Sequence, residues 1–392
     1  MTGRRTAPEL QHRAARSFAR PTIDFRGDSR STAFIRPGAT LRLHVLLGVT
    51  LLATACEPRT GRTTAGDDTT AAVAQLDTSP PANVSHGEAP VGGPGSAPAP
   101  VSALLAPAEP RRLHRLRLEM THATVTIAPG KTYAGWTFGD QVPGPILRVV
   151  QGDTIDFTLI NRAPIPHSLD FHAAEIAPDR YYRNLMPGDS IQYRFVARVP
   201  GAFMYHCGTA PVALHIANGM YGAFIVDPPT PRPRAKEFVL VQSEFYLSPN
   251  KDANGAFTID WNRMLGLAPD HVVFNGRASQ YAEHPLEVAP NELVRMYVVN
   301  AGPNRISSFH VVGGIFSQVF QDGSLANPLR GVQTVNVPVG GGAIFETRLR
   351  EPGDYPFVTH AFADATKGAV GVLRAVNPDA PDSARTAPPM QH

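Results

Sequence analysis

The chain has 392 residues, 43% of them hydrophobic and only 18% charged, with 38 Pro and 34 Gly. At ~150 residues per domain this gives room for two or three domains, and it excludes fibres, mini-proteins and wholly disordered chains. The positive balance of the +3 chain comes entirely from residues 1–56, which hold nine Arg against Glu9, Asp24 and Asp28; the other 27 basic and 30 acidic residues make a faintly acidic chain, which argues against nucleic acid as a partner.

The first feature in chain order is the apolar run from Val45 to Cys56, preceded by Arg36 and Arg42. It falls well short of the ~20 residues that a spanning helix needs. Small residues stand directly before Cys56, as at a bacterial lipoprotein cleavage site, so residues 1–56 are expected to be an export leader. The expected location is periplasmic, with a lipid anchor to the membrane through Cys56. Residues 57–110 are mostly Thr, Ala, Pro, Gly and Ser. They cannot bury enough surface to order themselves and are expected to form a disordered tether.

From about residue 112 short alternating apolar runs recur: Leu113 to Thr126, Gly135 to Phe138, Thr154 to Ile160, Ser190 to Ala197 and Gly222 to Val226. Turn clusters such as Pro129-Gly130 and Pro187-Gly188 separate them, which is the rhythm of a β-sandwich. After the proline-rich break at Asp227–Pro233 the rhythm resumes at Glu237 to Glu244 and continues to Ala369–Val376. The expected fold is all-β, with two tandem Greek-key β-sandwiches over 111–229 and 235–377 and a disordered tail at 378–392. The halves echo each other: Gly201 to His206 precedes one Gly-Ala strand, and Gly353 to His360 precedes another. This suggests duplication.

Three short segments concentrate potential metal ligands: Pro166 to His172, Tyr205 to Cys207, and His215 to Met220. A thiolate, two imidazoles and a thioether are the ligand set of a type 1 copper centre. His167, Cys207, His215 and Met220 supply it. Singly, each of these residues is commonplace in a core or on a surface; their joint occurrence in this order is what carries the signal.

Strand geometry adds a second expectation, because successive side chains on a strand point to opposite faces. If Tyr205 to Cys207 is extended, Tyr205 and Cys207 look into the sandwich while Met204 and His206 look away. The same parity puts His167, Leu169 and Phe171 on one face and Asp170 and His172 on the other. His172 and His206 could then hold a second metal about ten Å from the first by backbone dimensions. Two imidazoles fall short of the three ligands usual at a catalytic metal. His360, at the duplicated position of the second half, is the candidate third, from this chain or from a neighbouring copy.

Pro143 to Arg148, His167 to His172, Tyr205 to Cys207, His271 to Gly276 and His360 together resemble the copper-containing, NO-forming nitrite reductases, whose two domains are cupredoxins. The resemblance spans about 112–376. It implies cupredoxin-like sandwiches assembled as a homotrimer, with type 1 Cu at His167, Cys207, His215 and Met220. It implies type 2 Cu at His172 and His206 of one subunit and His360 of the next. It also implies nitrite as substrate, a small cupredoxin or cytochrome c as electron donor, and Asp170 and His271 as the catalytic pair. In that scheme His271 supplies a proton from a side chain that titrates near working pH. His310 receives no role, and His122 and His284 read as surface residues.

Two further readings compete. A two-domain laccase-like multicopper oxidase needs a trinuclear cluster and pairs of His-x-His motifs, whereas Cys207 is followed by Gly208 and His167 and His172 are five apart. A non-enzymatic electron-transfer cupredoxin accounts for the first ligand set and leaves Asp170, His172, His206, His271 and His360 unexplained.

Overall fold

The computed structural model describes residues 99–109, 112–381 and 383. The leader with Cys56, most of the tether and the end of the tail lie outside the described residues. Among the described residues no helix is long and apolar enough to cross a membrane.

The first half comprises β1 (Leu113–Ala128), β2 (Lys131–Phe138), β3 (Leu147–Val150), β4 (Thr154–Asn161), β5 (Asp170–Phe171), β6 (Ser190–Val196), β7 (Gly201–His206) and β8 (Tyr221–Asp227), with short helices α1 (Pro178–Tyr181) and α2 (Val212–Ala217). The second half comprises β9 (Lys236–Phe245), β10 (Leu247–Lys251), β11 (Phe257–Ile259), β12 (His271–Phe274), β13 (His284–Val288), β14 (Val294–Gly302), β15 (Ser307–Val311), β16 (Gln318–Gln321), β17 (Thr334–Val337), β18 (Gly342–Thr347), β19 (Gly353–Thr359) and β20 (Val370–Ala375). Its short helices are α3 (Trp261–Leu265), α4 (Gln280–Glu283) and α5 (Phe362–Ala365).

In the first half a sheet ordered β10-β11-β2-β1-β4-β6 covers one ordered β3-β8-β7-β5. Met120, Phe157, Phe171, Tyr205 and Phe224 fill the space between them. In the second half, sheets β12-β9-β14-β18-β16 and β13-β20-β19-β15-β17 enclose Phe274, Val298, Phe309, Phe345 and Phe357. The all-β expectation is met, and nearly every expected strand lies within two or three residues of its observed span.

A third core joins the halves. Met204, Tyr221, Ala223 and Ile225 pack against Val239, Val241, Phe245, Tyr297 and Val299. Strands β8 and β9 are therefore covered on both faces, which is why they read as nearly unbroken apolar runs. The outward face of β7 is accordingly buried at Met204 and opens to solvent only near the strand end.

Two divisions differ from the sequence reading. The hairpin β10–β11 belongs by position to the second half, yet it extends the first half's sheet through the parallel pairing of Phe257 with Tyr133. The segment expected to be a tether through residue 110 also includes chain that packs on the second half. Strand β12 covers β9 only at Gln242–Phe245, and the chain around Ala103 covers the edge left free. Leu105 N–H donates to the Glu237 carbonyl at 3.1 Å, Val239 N–H donates to the Ala103 carbonyl at 2.8 Å, and Ala103 is buried.

The proline-rich segment is bracketed by ion pairs. Arg148 meets Asp227 at 2.6 Å and Glu237 at 2.9 Å, Arg295 meets Glu237 at 2.6 Å and Glu346 at 2.7 Å, and Arg232 meets Glu346 at 2.8 Å.

Candidate metal centres

Strand β7 ends at His206, and Cys207 follows it on the inner side. The Cys207 Sγ lies 3.3 Å from His215 Nδ1 and 3.9 Å from His167 Nδ1, and the two Nδ1 atoms are 3.0 Å apart. All three residues are buried. His215 reaches this point from α2, a helix that the strand rhythm did not show. Met220 is fully buried beside them: its carbonyl accepts from Cys207 N–H at 3.1 Å and its N–H donates to the His215 carbonyl at 3.2 Å.

Ser168 ties these pieces together. Its N–H donates to Cys207 Sγ at 3.4 Å, and its hydroxyl accepts from Gly208 N–H and from Thr209 Oγ1–H, each at 3.1 Å. Burial, followed by the charges of His215 and His122, holds the His167 pKa at about 3, and burial together with His122 holds that of His215 at about 4. Both imidazoles are therefore neutral at physiological pH and present lone pairs to an ion.

The ring of Tyr205 fixes the strand that carries the thiol. Its hydroxyl donates to the Pro145 carbonyl at 2.6 Å, and its face lies over Gly222, where a Cβ would come within 2.3 Å of the ring. Only glycine admits that approach.

On the other face, His172 and His206 bring their Nε2 atoms to 3.0 Å. His172 Nδ1 lies 3.0 Å from the Gly340 carbonyl, and His206 Nδ1 lies 2.9 Å from the Cys207 carbonyl. A carbonyl only accepts, so both Nδ1 atoms carry the proton and both Nε2 atoms are bare acceptors. Two acceptors cannot bond each other; they can share a cation. Burial lowers the His206 pKa, which keeps that ring neutral. Asp170 Oδ2 stands 3.8 Å from His206 Nε2. Asp170, His172 and His206 form one cluster and His167, Cys207 and His215 the other among the described residues.

His360 is not part of either cluster. It lies exposed just beyond β19, its ring 4.7 Å from Phe362 and 5.3 Å from His310. His271 likewise lies in neither cluster. Its Nε2 lies 3.2 Å from Lys131 Nζ and its Nδ1 3.4 Å from the Lys367 carbonyl, so its single proton points at a backbone oxygen. Burial and the Lys131 charge push its pKa down. His271 is thus a satisfied side chain at the start of β12. The imidazole against His360 belongs to His310, pinned by Nδ1 at 2.8 Å from the Gln333 carbonyl.

Two more residues escaped the sequence reading. His122 is exposed as expected, yet its Nε2 lies 3.2 Å from His167 Nε2. Trp136, opposite it on β2, meets the rings of His167 and His215 edge-on at 5.6 and 4.8 Å.

Comparison with known proteins fits this geometry. Over 275 residues the chain is 40% identical to a copper-containing nitrite reductase of Neisseria meningitidis serogroup B, covering 68% of this chain and 70% of that protein. The chain belongs to the copper-containing nitrite reductases. The multicopper oxidase family profile matches residues 119–231 of this reductase, the half that carries both clusters. Among solved structures it is similar to the copper nitrite reductase of Nitrosomonas europaea, with a TM-score of 0.62, 36% identity and coverage of 68% and 95% of the two chains. A multicopper oxidase structure has a TM-score of 0.60 at 28% identity, covering 67% of this chain and 89% of that one.

The fold is thus cupredoxin-like and the cofactor copper. The donor chemistry agrees: thiolate with two imidazoles and a nearby thioether suits one copper, and imidazoles beside a carboxylate suit a second.

Proposed function

We propose that this chain reduces nitrite to nitric oxide and water, taking up one electron and two protons. His167, Cys207, His215 and Met220 would hold a type 1 copper, and His172 and His206 a type 2 copper completed by His360 of a neighbouring copy. The observation that carries this reading is the pair of bare Nε2 atoms on the outer face, one peptide bond from a thiol turned inward. Copper bound at the two clusters would supply a one-electron carrier behind Cys207 and a Lewis acid for the nitrite oxygens beside Asp170.

The chain's own residues then have distinct tasks. The Cys207–His206 segment offers the shortest covalent path between the clusters. Asp170, on the same face as His172, accepts a hydrogen bond from protonated nitrite and passes one proton. His310, whose Nδ1 is held by a carbonyl, presents Nε2 for the second. In this scheme it serves in place of His271, whose two ring nitrogens are already engaged.

Assembly as a homotrimer belongs to the same proposal. The outer cluster holds two imidazoles, while the exposed His360 lies against Phe362, itself 58% exposed, and Ile306, Val312 and Ile315, at 51%, 41% and 58% exposure, stand just beyond the two ends of β15. Exposed apolar side chains of this size, one of them against His360, favour burial against another copy. A small cupredoxin or cytochrome c is the proposed electron donor. Placement outside the cytoplasm, anchored through Cys56, completes the proposal and rests on the sequence pattern.

The deciding experiment loads purified protein with copper, counts two ions per chain, and supplies nitrite with an artificial reductant. Nitric oxide release is the expected result. One copper per chain and no gas would overturn the reading.

A further inference from the structure

The inner cluster has an unassigned neighbour in His122. It sits on β1 directly across from Trp136 on β2, and the two rings stack at 5.3 Å with their planes 5° apart. The same tryptophan meets both imidazoles of the inner cluster edge-on. Nothing in the spacing of the ligands draws His122 in, because it lies 45 residues before His167.

The orientation of His167 decides what His122 does. Its Nδ1 faces Cys207 Sγ and His215 Nδ1, so a metal there takes the Nδ1 lone pair. The ring proton is then confined to Nε2, which lies 3.2 Å from His122 Nε2. A proton on His167 Nε2 needs an acceptor, and a neutral His122 protonated at Nδ1 is one.

We propose that His122 is a positioning residue for the inner copper: it accepts the Nε2–H of His167, fixes that ring's tautomer and plane, and is itself held in place by Trp136. The claim rests on the reading of the inner cluster as a copper centre. A ligand imidazole whose outer N–H is hydrogen-bonded is a stronger donor to its metal, and loss of such a partner typically costs ~10–100-fold in metal affinity. A stronger donor favours the oxidised ion, so the bond should lower the centre's reduction potential.

The test uses the copper-loaded full chain and two substitutions. His122→Phe keeps a ring to stack on Trp136 and removes the acceptor; His122→Gln loses the ring and keeps a carbonyl oxygen. In the reduced, diamagnetic protein labelled with 15N-histidine, wild type should show a slowly exchanging His167 Nε2–H. His122→Phe should lose that protection, raise the potential of the coloured centre and weaken copper binding by ~10–100-fold. His122→Gln should recover at least part of all three. Unchanged proton exchange and potential in His122→Phe would overturn the proposal, as would equal loss in both variants. A wild type with no coloured centre would instead sink the copper reading itself, and the two failures are thereby distinguishable.

Discussion

Cys207 Sγ lies 3.3 Å from His215 Nδ1 on the inside of the sandwich, while Nε2 of the adjacent His206 lies 3.0 Å from His172 Nε2 on the outside. Two consecutive residues thus serve two faces. Replacing an outer residue should therefore leave the inner centre intact. His172→Ala should bind about half the copper, retain the visible colour of the thiolate site and lose nitrite turnover. Metal analysis with optical spectroscopy checks it, and joint loss of both signals would show that the faces are not independent.

His310 and His271 separate the proton-donor assignments. His310→Ala should slow nitrite reduction by ~10²–10⁴-fold, the usual contribution of a positioned acid. His271→Ala should change turnover by no more than a few-fold, since that ring already serves Lys131 and the Lys367 carbonyl. Steady-state rates on the two variants decide, and the reverse ranking would restore His271.

The inner cluster was legible because Cys207, His215 and Met220 are crowded into a short stretch and are chemically distinct donors. The parity of β7 was legible too, since alternation is fixed by backbone geometry. His310 was not, because its value depends on which strand lies beside which. Strand β15 pairs with β19 as β5 pairs with β7. His310 therefore stands beside the strand leading to His360 much as Asp170 stands beside the one ending at His206. The echo between the halves carries that signal, but in the sequence it is plain only for the second strand of each pair. The hairpin that crosses to the other half left no trace, because edge pairing depends on shape and not on local pattern.

Asp170→Asn keeps the shape of the outer cluster and removes its carboxylate. Both coppers should remain and turnover should fall by ~10²–10⁴-fold. A rate unchanged within error, measured by nitric oxide release, would remove Asp170 from proton delivery.

Acid should weaken the copper-free protein through its inner imidazoles. Folded His167 and His215 hold pKa values of about 3 and about 4, whereas an unfolded histidine titrates near ~6.5. Between those values the unfolded chain binds more protons, so stability falls as pH drops from ~6.5 towards ~4. Thermal midpoints of copper-free wild type should decline across that window more steeply than those of His215→Gln. Parallel slopes would refute the argument.

Gly222→Ala would place a methyl within 2.3 Å of the Tyr205 ring. The ring must shift or give up its bond to Pro145, at a cost of about 1–3 kcal/mol as for other overpacked cores. Urea titration measures it. The second half repeats the device, because a Cβ on Gly371 would come within 2.1 Å of Phe357.

The strand pair that crosses from one sandwich to the other makes the two halves interdependent. Phe257 of the second half pairs with Tyr133 of the first, and one apolar core is built from both. Severed at the prolines, the first half would expose the β2 edge and the apolar flank now shared with Val239 and Tyr297, a surface prone to sticking. Each half thereby completes the surface of the other.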